Sequence, residues 1–255
     1  SAQKEFICDI ARANRKDVRD TVEAASKSKI ASLNNFNRSQ ILFYLAENLS
    51  QRKETFINLL MSISGVNKNQ ASKEFEQSCE RIFYFASMSD KFEGNIHNPP
   101  MRGLTLAVKE SIGIIASIMS DHQPLLSLST VISSLFANGN ASIIVPSEKT
   151  SLIATSFYQV FETSDIPVGS INILTAKQNE LNKTLTQHEN IDGIWAFSSN
   201  PKVRSSIIHD TVFNLKRYWC PKNKNIDWSN NDEEFLDEFL YEGSQVKNIW
   251  IPYGE

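Results

Sequence analysis

The stretch from Glu110 to Asn200 decides the fold of this chain. It opens with Glu110-Ser111-Ile112-Gly113-Ile114-Ile115 and continues through Ala137-Asn138-Gly139-Asn140-Ala141 and Pro146-Ser147-Glu148. Within it, short apolar segments alternate with stretches of helical periodicity. The apolar segments are residues 112–118, 142–145, 170–174 and 193–197, and the helical stretches are residues 124–137, 150–163 and 179–188. Short apolar strands that alternate with helices predict a parallel sheet with helices on both faces.

The residues before this stretch are predicted to be mainly helical. Apolar side chains recur at helical spacing in residues 17–28, 37–65 and 71–89. Asn37 and Gln40 form a candidate capping pair, and Gly65 is a natural helix stop. Residues 91–102 are predicted to be a connector, and residues 104–108 a strand. The predicted fold class is therefore α/β, a Rossmann-like parallel sheet with flanking helices, preceded by an N-terminal helical segment.

The last section of the chain changes character. Residues 221–232 are polar and predicted to form a loop, residues 233–241 a short acidic helix, and residues 246–252 a single strand with Trp250 on one face. This strand has no partner nearby in sequence, so it is expected to pair with something distant or with another domain. The chain is predicted to be one domain in three parts: N-terminal helices (1–97), the Rossmann-like sheet (98–213), and a loop, short helix and terminal docking strand (214–255).

Composition excludes several classes of partner. The formal net charge is −3 with both signs interspersed, which gives no basic footprint for nucleic acid. The apolar runs are too short to span a bilayer. Cys8, Cys79 and Cys220 stand far apart without a paired-cysteine motif, so no metal site is expected and a reducing, cytoplasmic location is favoured. The absence of an initiator Met predicts a fragment or one domain of a longer protein.

Three segments within the deciding stretch carry a family resemblance. They are Ser120-Asp121-His122-Gln123-Pro124, Val145-Pro146-Ser147-Glu148 and Phe197-Ser198-Ser199-Asn200. With the order and spacing around them, they resemble the cofactor-binding half of the aldehyde dehydrogenase superfamily. The resemblance implies that a parent protein oxidises aldehydes with NAD.

The positions that carry cofactor and oxyanion contacts in that family are altered here. His122 stands where the family has an oxyanion-hole Asn, and a surface-loop histidine is the simpler interpretation. Glu148 matches the family's ribose-binding Glu, but the partner Lys is replaced by Val145. Ser147 and Glu148 could instead cap the following helix. Glu148 is thus the one vestigial cofactor-binding residue that the resemblance implies.

The remaining positions imply no catalytic residue. Ser199 and Arg204 replace two glycines that let the backbone approach a pyrophosphate, and Arg204 is expected to be a solvated helix residue. The nearest match to the general-base stretch begins at Asn214, which cannot accept a proton from water. Cys220 comes too early in the chain to match the family nucleophile, and no electropositive pocket is evident around it.

The last part of the chain resembles one particular family within this superfamily. Two segments resemble the degenerate C-terminal domain of the tandem-domain aldehyde dehydrogenases, family 16. The first is residues 248–255, and the second is Asn214-Leu215-Lys216 followed by an aromatic pair and Cys220-Pro221. This implies a non-catalytic domain that itself holds no cofactor and docks on an N-terminal aldehyde dehydrogenase domain of the same polypeptide, in a parent homodimer. The interaction strand would be Ile249, Trp250, Ile251 and Pro252. Two alternatives stay open: an active oxidoreductase that uses His122 and Cys220, and a module that binds a nucleotide without turnover.

Overall fold

The computed structural model describes residues 6–92, 94–100, 102–198, 200–221 and 226–253. Its helices are α1 (Arg15–Ser26), α2 (Asn35–Ser50), α3 (Lys53–Ser64), α4 (Lys68–Met88), α5 (Pro124–Ala137), α6 (Ser151–Ser156), α7 (Tyr158–Phe161), α8 (Gln178–Gln187), α9 (Pro201–Val212) and α10 (Glu233–Glu242). Its strands are β1 (Asn95–His97), β2 (Gly103–Ser111), β3 (Ile114–Ile118), β4 (Ala141–Val145), β5 (Ile171–Ile173), β6 (Gly193–Ala196), β7 (Arg217–Trp219) and β8 (Ser244–Pro252).

Five of the described strands form a parallel sheet in the order β5-β4-β3-β6-β7. Every residue of β3 and β4 is buried, because helices cover the sheet on both sides. α1 packs against β3, β4 and β5 beside α8, whereas α5 packs on β4 and is backed by α2 and α4. The predicted α/β class, with a parallel sheet, flanking helices and N-terminal helices, is confirmed. The sheet extends past the predicted boundary at residue 213, because β7 pairs with β6.

Helix α5 is buried along its entire length, between the sheet and the N-terminal helices. Its bounds match the prediction, since Pro124 begins the helix and Asn138-Gly139 follows its end. The helix carries several Ser and Thr side chains that would be costly to bury without partners. Most of these hydroxyls donate to carbonyls one turn back, as Thr130 Oγ1 does to Leu126 O at 2.7 Å and Ser134 Oγ to Val131 O at 3.1 Å. Small polar residues thus allow close packing on both sides of this helix.

The predicted helix over residues 37–65 is two helices, α2 and α3, separated at Gln51 and Arg52. The apolar stripe is interrupted at this point, where polar Arg52 and Lys53 fall at the next core-facing positions after Leu49. The cap also differs from the prediction. Asn34 is the N-cap of α2, and its side chain accepts a hydrogen bond from Asn37 N at 2.7 Å. Gly65 ends α3 in the left-handed conformation, with φ of 71°, as predicted.

A second sheet is antiparallel, in the order β1-β2-β8. β8 pairs with β2 along its whole length, so Trp250 lies opposite Thr105 and Ile251 opposite Leu104. The terminal strand therefore has a distant partner within its own chain, which was one of the two predicted arrangements. β1 falls inside the predicted connector and β7 in the predicted terminal section, and neither was predicted as a strand. Lys222, Asn223, Lys224 and Asn225 of the predicted loop, and Gly254 and Glu255 of the predicted ending, lie outside the described residues.

The turn Asn138-Gly139-Asn140 fastens the returning C-terminal section to the parallel sheet. Asn140 is buried, and its Oδ1 accepts hydrogen bonds from Ile112 N at 2.8 Å and Gly113 N at 3.0 Å. Its Nδ2 donates to Gly243 O at 2.7 Å, where β8 is about to begin. Asn138 Nδ2 donates to Leu240 O in α10 at 3.0 Å. One turn thus fixes the start of β3 and the passage from α10 into β8.

Candidate functional site

A cleft of about 550 Å³ opens at the carboxyl ends of β3 and β6. The chain continues from β3 to β4 on one side, and β6 lies on the other side of β3. Open α/β sheets bind ligands at such a switch point, outside the carboxyl ends of the strands. The residues that line the cleft are Met119, Ser120, Asp121, His122, Gln178, Phe197, Ser198, Ile226, Asp227 and Trp228. A larger groove of about 950 Å³ lies beside α10, but no residue of β3 or β6 lines it, so the switch-point cleft is the candidate site.

The loop after β3 brings Asp121 and His122 to the cleft. His122 is exposed at its mouth. Asp121 forms an ion pair with Lys149 at 2.9 Å, which ties this loop to the loop after β4. Partial burial opposes ionisation of Asp121, but hydrogen bonds from Ser147 and Lys149 outweigh burial and lower its pKa. The carboxylate is therefore charged and already partnered.

The loop after β4 holds the positions of the predicted ribose clamp. Val145 is fully buried as the last residue of β4, so its side chain belongs to the core. Glu148 is exposed and is not among the residues that line the cleft. Ser147 is buried, and its carbonyl accepts from Ser151 Oγ at 2.9 Å at the start of α6. The structure thus brings His122 into the cleft and leaves Glu148 outside it.

Gln178, the first residue of α8, bridges two strand ends. Its Nε2 donates to Met119 O at 2.7 Å, just after β3, and to Val145 O at 3.3 Å, at the end of β4. The side chain thereby covers the crevice between these strands. Sequence analysis missed this residue, because a lone Gln at a helix start carries no signal for a contact so distant in sequence.

In the segment that leads from β6 into α9, the burial of Arg204 differs from its prediction. Asn200 caps α9 with its own side chain, since its Oδ1 accepts from Lys202 N at 3.0 Å. Ser199 lies outside the described residues. Arg204 was predicted to be solvated, but it is half-buried, and its Nη1 donates to Cys220 Sγ at 3.6 Å. Packing of α9 against β7 explains this difference, because β7 places Cys220 beside the helix.

The predicted general-base stretch lies at the wrong end of the sheet. Asn214 Nδ2 donates to Thr186 O at 3.2 Å, and Lys216 Nζ donates to His188 O and Ile191 O. These partners precede β6, so residues 214–216 sit at the amino edge, opposite the cleft. Assigning the general-base position to Asn214 was therefore wrong. The residue that leaves β7 on the cleft side is Cys220, which is half-buried and does not line the cleft.

Aromatic side chains fill the space beside the cleft. Trp228 is fully buried, with its ring centroid 5.2 Å from that of Phe197 and 5.8 Å from that of Phe239. Trp195 and Trp219 extend the cluster, with 4.7 Å between their centroids. The residues come from β6, β7, α10 and the segment before α10. The C-terminal section therefore packs onto the carboxyl edge of the parallel sheet.

Two buried charged residues of α4 support this arrangement. Glu74 accepts from Leu125 N at 2.9 Å and Leu126 N at 3.4 Å, so it caps the start of α5, and burial raises its pKa to about 6. Arg81 donates to Trp228 O at 3.0 Å, Asn230 O at 2.9 Å and Asn231 Oδ1 at 2.8 Å. Burial lowers the pKa of Arg81 to about 10, so it remains charged at neutral pH. Sequence analysis missed both Glu74 and Arg81. The available signal was their placement on the core-facing stripe of α4 with Ala71, Ser78 and Ile82.

The cleft presents few of the groups that bind a pyrophosphate. A pyrophosphate needs free backbone donors or cations where it sits. The cleft instead presents the carboxylates of Asp121 and Asp227, Gln178 covers the neighbouring strand ends, and Asn200 caps α9 internally. Trp228 and Phe197 take up the adjoining space. Among the described residues, no Lys or Arg lines the cleft.

The described ranges contain neither a metal-binding cluster nor a membrane-spanning helix. Among these residues, no group of three or more His, Cys, Asp or Glu side chains could hold a metal ion. No helix in the described part of the chain is long and apolar enough to cross a bilayer. Cys79 is buried on α4, and burial raises its pKa to about 12, so it packs as a small apolar residue.

The parallel sheet and the crevice at its switch point define a Rossmann-like α/β domain. A profile of the aldehyde dehydrogenase family matches residues 1–220. The chain therefore belongs to the aldehyde dehydrogenase family, as the resemblance predicted.

Named relatives agree with this assignment. The mitochondrial and cytosolic 10-formyltetrahydrofolate dehydrogenases of Homo sapiens are 27% and 26% identical over 220 and 221 residues. Each alignment covers 83% of this chain and 24% of the relative, so the chain spans about a quarter of their length. Betaine aldehyde dehydrogenase of Bacillus subtilis is 24% identical over 256 residues, covering 95% of this chain and 52% of that enzyme.

Solved structures share the fold. PnpE from Pseudomonas sp. WBC-3 superposes with a TM-score of 0.80 and 24% identity, covering 85% of this chain and 45% of that one. Betaine aldehyde dehydrogenase from Staphylococcus aureus, solved in complex with NAD+, gives a TM-score of 0.81 and 20% identity, covering 85% and 44%. This chain corresponds to somewhat under half of each of these structures.

Proposed function

We propose that this chain is a non-catalytic aldehyde-dehydrogenase-like domain with a structural role beside an active NAD-dependent aldehyde dehydrogenase domain of the same polypeptide. The parent would be a homodimeric protein of the tandem-domain type, family 16. The observation that carries this proposal is the β1-β2-β8 sheet. There the terminal strand completes the domain's own sheet and still presents an apolar outer surface.

The exposed side chains of β8 support an assembly role. Val246 is 50% exposed, Trp250 59% and Ile251 46%. Within the described residues β8 pairs only with β2, so its outer edge is free to accept another strand. An edge of this kind binds extended segments through backbone hydrogen bonds, and its side chains give specificity. Ile249, Trp250, Ile251 and Pro252 would therefore act as an interaction strand while remaining part of this domain.

The candidate site supports the absence of turnover. Its carboxylates, the Gln178 bridge and the aromatic filling leave a cleft unsuited to a dinucleotide. We accordingly propose that this chain holds no cofactor, and that any aldehyde oxidation with NAD takes place in the partner domain. A cytoplasmic location is part of the proposal, since the cysteines are sparse and some relatives are cytosolic enzymes.

Replacing Trp250 by Ala tests the assembly role. A Trp at the centre of an interface contributes about 2 kcal/mol or more, so the parent's assembly should weaken roughly thirtyfold. The measurement is sedimentation of the full-length parent over a range of concentrations. Phe36→Ala is the matched control, because Phe36 is a similarly exposed aromatic, at 62%, on α2. Equal assembly of Trp250→Ala, Phe36→Ala and wild type would reject the role of this strand.

The alternative is a nucleotide-binding or active oxidoreductase domain. The switch-point cleft, with His122 at its mouth, is the observation that favours it. It predicts aldehyde-dependent NADH production, or dinucleotide binding, by the isolated chain. Cys220 would then have to act as the nucleophile, although its contacts are with Arg204 and the neighbouring backbone.

A further inference from the structure

Residues 226–231 lie across the candidate cleft, and we call them the plug segment. Ile226, Asp227 and Trp228 line the cleft together with strand-end residues such as Met119 and Phe197. Trp228 is the buried centre of the segment and packs edge-on against Phe197, the first residue after β6. A ligand at the switch point would have to contact the same strand ends.

The plug segment is fastened by one buried cation. Arg81 is 2% exposed, and its Nη2 donates to the carbonyls of Trp228 and Asn230 and to the side chain of Asn231. No carboxylate of the described residues lies within ion-pair distance of Arg81. Backbone and amide oxygens of the plug segment therefore solvate the charge. Its Nη1 donates to Thr130 Oγ1 at 3.3 Å, which links the anchor to α5.

The plug segment also has its own local order. Asp227 accepts from Ser229 N at 3.0 Å and Ser229 Oγ at 2.6 Å, and Asn230 Oδ1 accepts from Asp232 N at 2.8 Å. These short-range bonds hold the segment in a turn whose carbonyls point toward Arg81. Removal of the anchor would leave these carbonyls buried and without a donor.

We propose that the plug segment is a built-in closure of the switch-point cleft, with Trp228 as the blocking side chain and Arg81 as its anchor. The closure excludes a dinucleotide from a crevice that the fold would otherwise offer. This inference goes beyond the proposed assembly role, because it concerns the cleft and not β8. It assigns Arg81 the part of a positioning residue.

Iodoacetamide labelling at position 198 in a Ser198→Cys background tests the closure, with that background alone, with Trp228→Ala and with Trp219→Ala compared as full chains. Trp219 is the matched control, because it is buried against the same Phe197, at 5.5 Å, but does not line the cleft. We expect labelling at least tenfold faster with Trp228→Ala than with the other two. Equal labelling rates with Trp228→Ala and Trp219→Ala, or labelling of the background alone as fast as with Trp228→Ala, would overturn the closure.

A milder change keeps the test decisive if Trp228→Ala fails to fold. Asn231→Ala removes one bond to Arg81 and leaves the aromatic packing intact. In a Ser198→Cys background, iodoacetamide labelling at position 198 should then be several-fold faster than without Asn231→Ala, as measured by peptide mass. Unchanged labelling would show that the anchor does not control access to the cleft. The assembly role is judged separately by Trp250→Ala, so either idea can fail alone.

Discussion

At the scale of single residues, the chain keeps two charged side chains where its apolar pattern calls for core residues. Glu74 and Arg81 lie seven residues apart on α4. Both contact α5, and Arg81 also contacts the plug segment. Each compensates groups that would otherwise be buried without partners. Glu74 satisfies free N–H groups at the start of a helix, and Arg81 satisfies carbonyls of a turn. Both couple the N-terminal helices to the candidate cleft.

Glu74 should make stability depend on pH in a defined direction. Its pKa in the folded chain is about 6, above the ordinary value of 4.5, because burial disfavours the charged form. A raised carboxyl pKa means that the fold binds the proton more tightly than the unfolded chain does. This contribution is full below pH 4.5 and is lost as pH rises through 6, a change of about 2 kcal/mol.

The check is urea unfolding of wild type and Glu74→Gln at pH 4.5 and pH 7. Gln keeps an acceptor for Leu125 N and carries no charge, so the variant should gain relative stability at pH 7 by about 2 kcal/mol. Glu76→Gln is the control, because Glu76 is exposed and Lys53 lowers its pKa. An identical pH response in Glu74→Gln and wild type would refute the assignment.

Individual positions also show which site features could be predicted from the sequence and which could not. Sequence predicted His122 to be a surface-loop residue after the first buried strand, and the structure has it exposed in that loop. The mistake at Asn214 arose because a short match was placed without knowing that β7 follows it, and this strand carries the chain to the other edge of the sheet. Gln178 and Arg81 bond to partners far away in sequence. Gln178 bonds to a residue 59 positions away and Arg81 to one about 150 positions away, and no local pattern encodes such contacts.

At the scale of elements, strong local sequence signals were sufficient to predict a helix or strand, and weak ones were not. Helix α5 was predicted with its correct ends, because a proline and an Asn-Gly pair bracket one apolar run. The strands β1 and β7 have three residues each, and β1 is exposed throughout, so neither offers an alternating pattern. The pairing of β8 with β2 spans more than a hundred residues and depends on the whole fold.

The turn Asn138-Gly139-Asn140, which fastens the C-terminal section to the parallel sheet, gives a prediction of its own. Asn140→Ala removes buried bonds to Ile112, Gly113 and Gly243, and should cost about 3 kcal/mol of unfolding free energy. Asn138→Ala removes one bond, to Leu240, and should cost about 1 kcal/mol. Chemical denaturation of both variants measures the difference. Equal losses would mean that Asn140 does not fasten the C-terminal section.

At the scale of the whole molecule, the C-terminal section is part of the domain and not an appended tail. It supplies β8 to the second sheet, α10 to the packing of α5, and the plug segment to the cleft. Truncation after Gln245 would strip most of β2 of its partner and expose a new sheet edge. Single substitutions on β8 are therefore the cleaner probe of assembly.

The same integration brings the chain's last section to the switch-point cleft of an aldehyde dehydrogenase fold. The parallel sheet, its helices and the switch point are those of the family, whereas the carboxyl edge is covered by residues of the chain's own last section. Fold class followed from sequence because periodicity determines it. The state of the cleft did not, because it depends on where the C-terminal section packs.

The most direct test of the account is calorimetric titration of the wild-type chain with NAD. The carboxylates, the Gln178 bridge and the seated Trp228 predict no binding at millimolar cofactor. Binding with a low micromolar Kd, about −8 kcal/mol, together with aldehyde-dependent NADH production, would contradict the central claim. It would show that this cleft still holds and uses a dinucleotide.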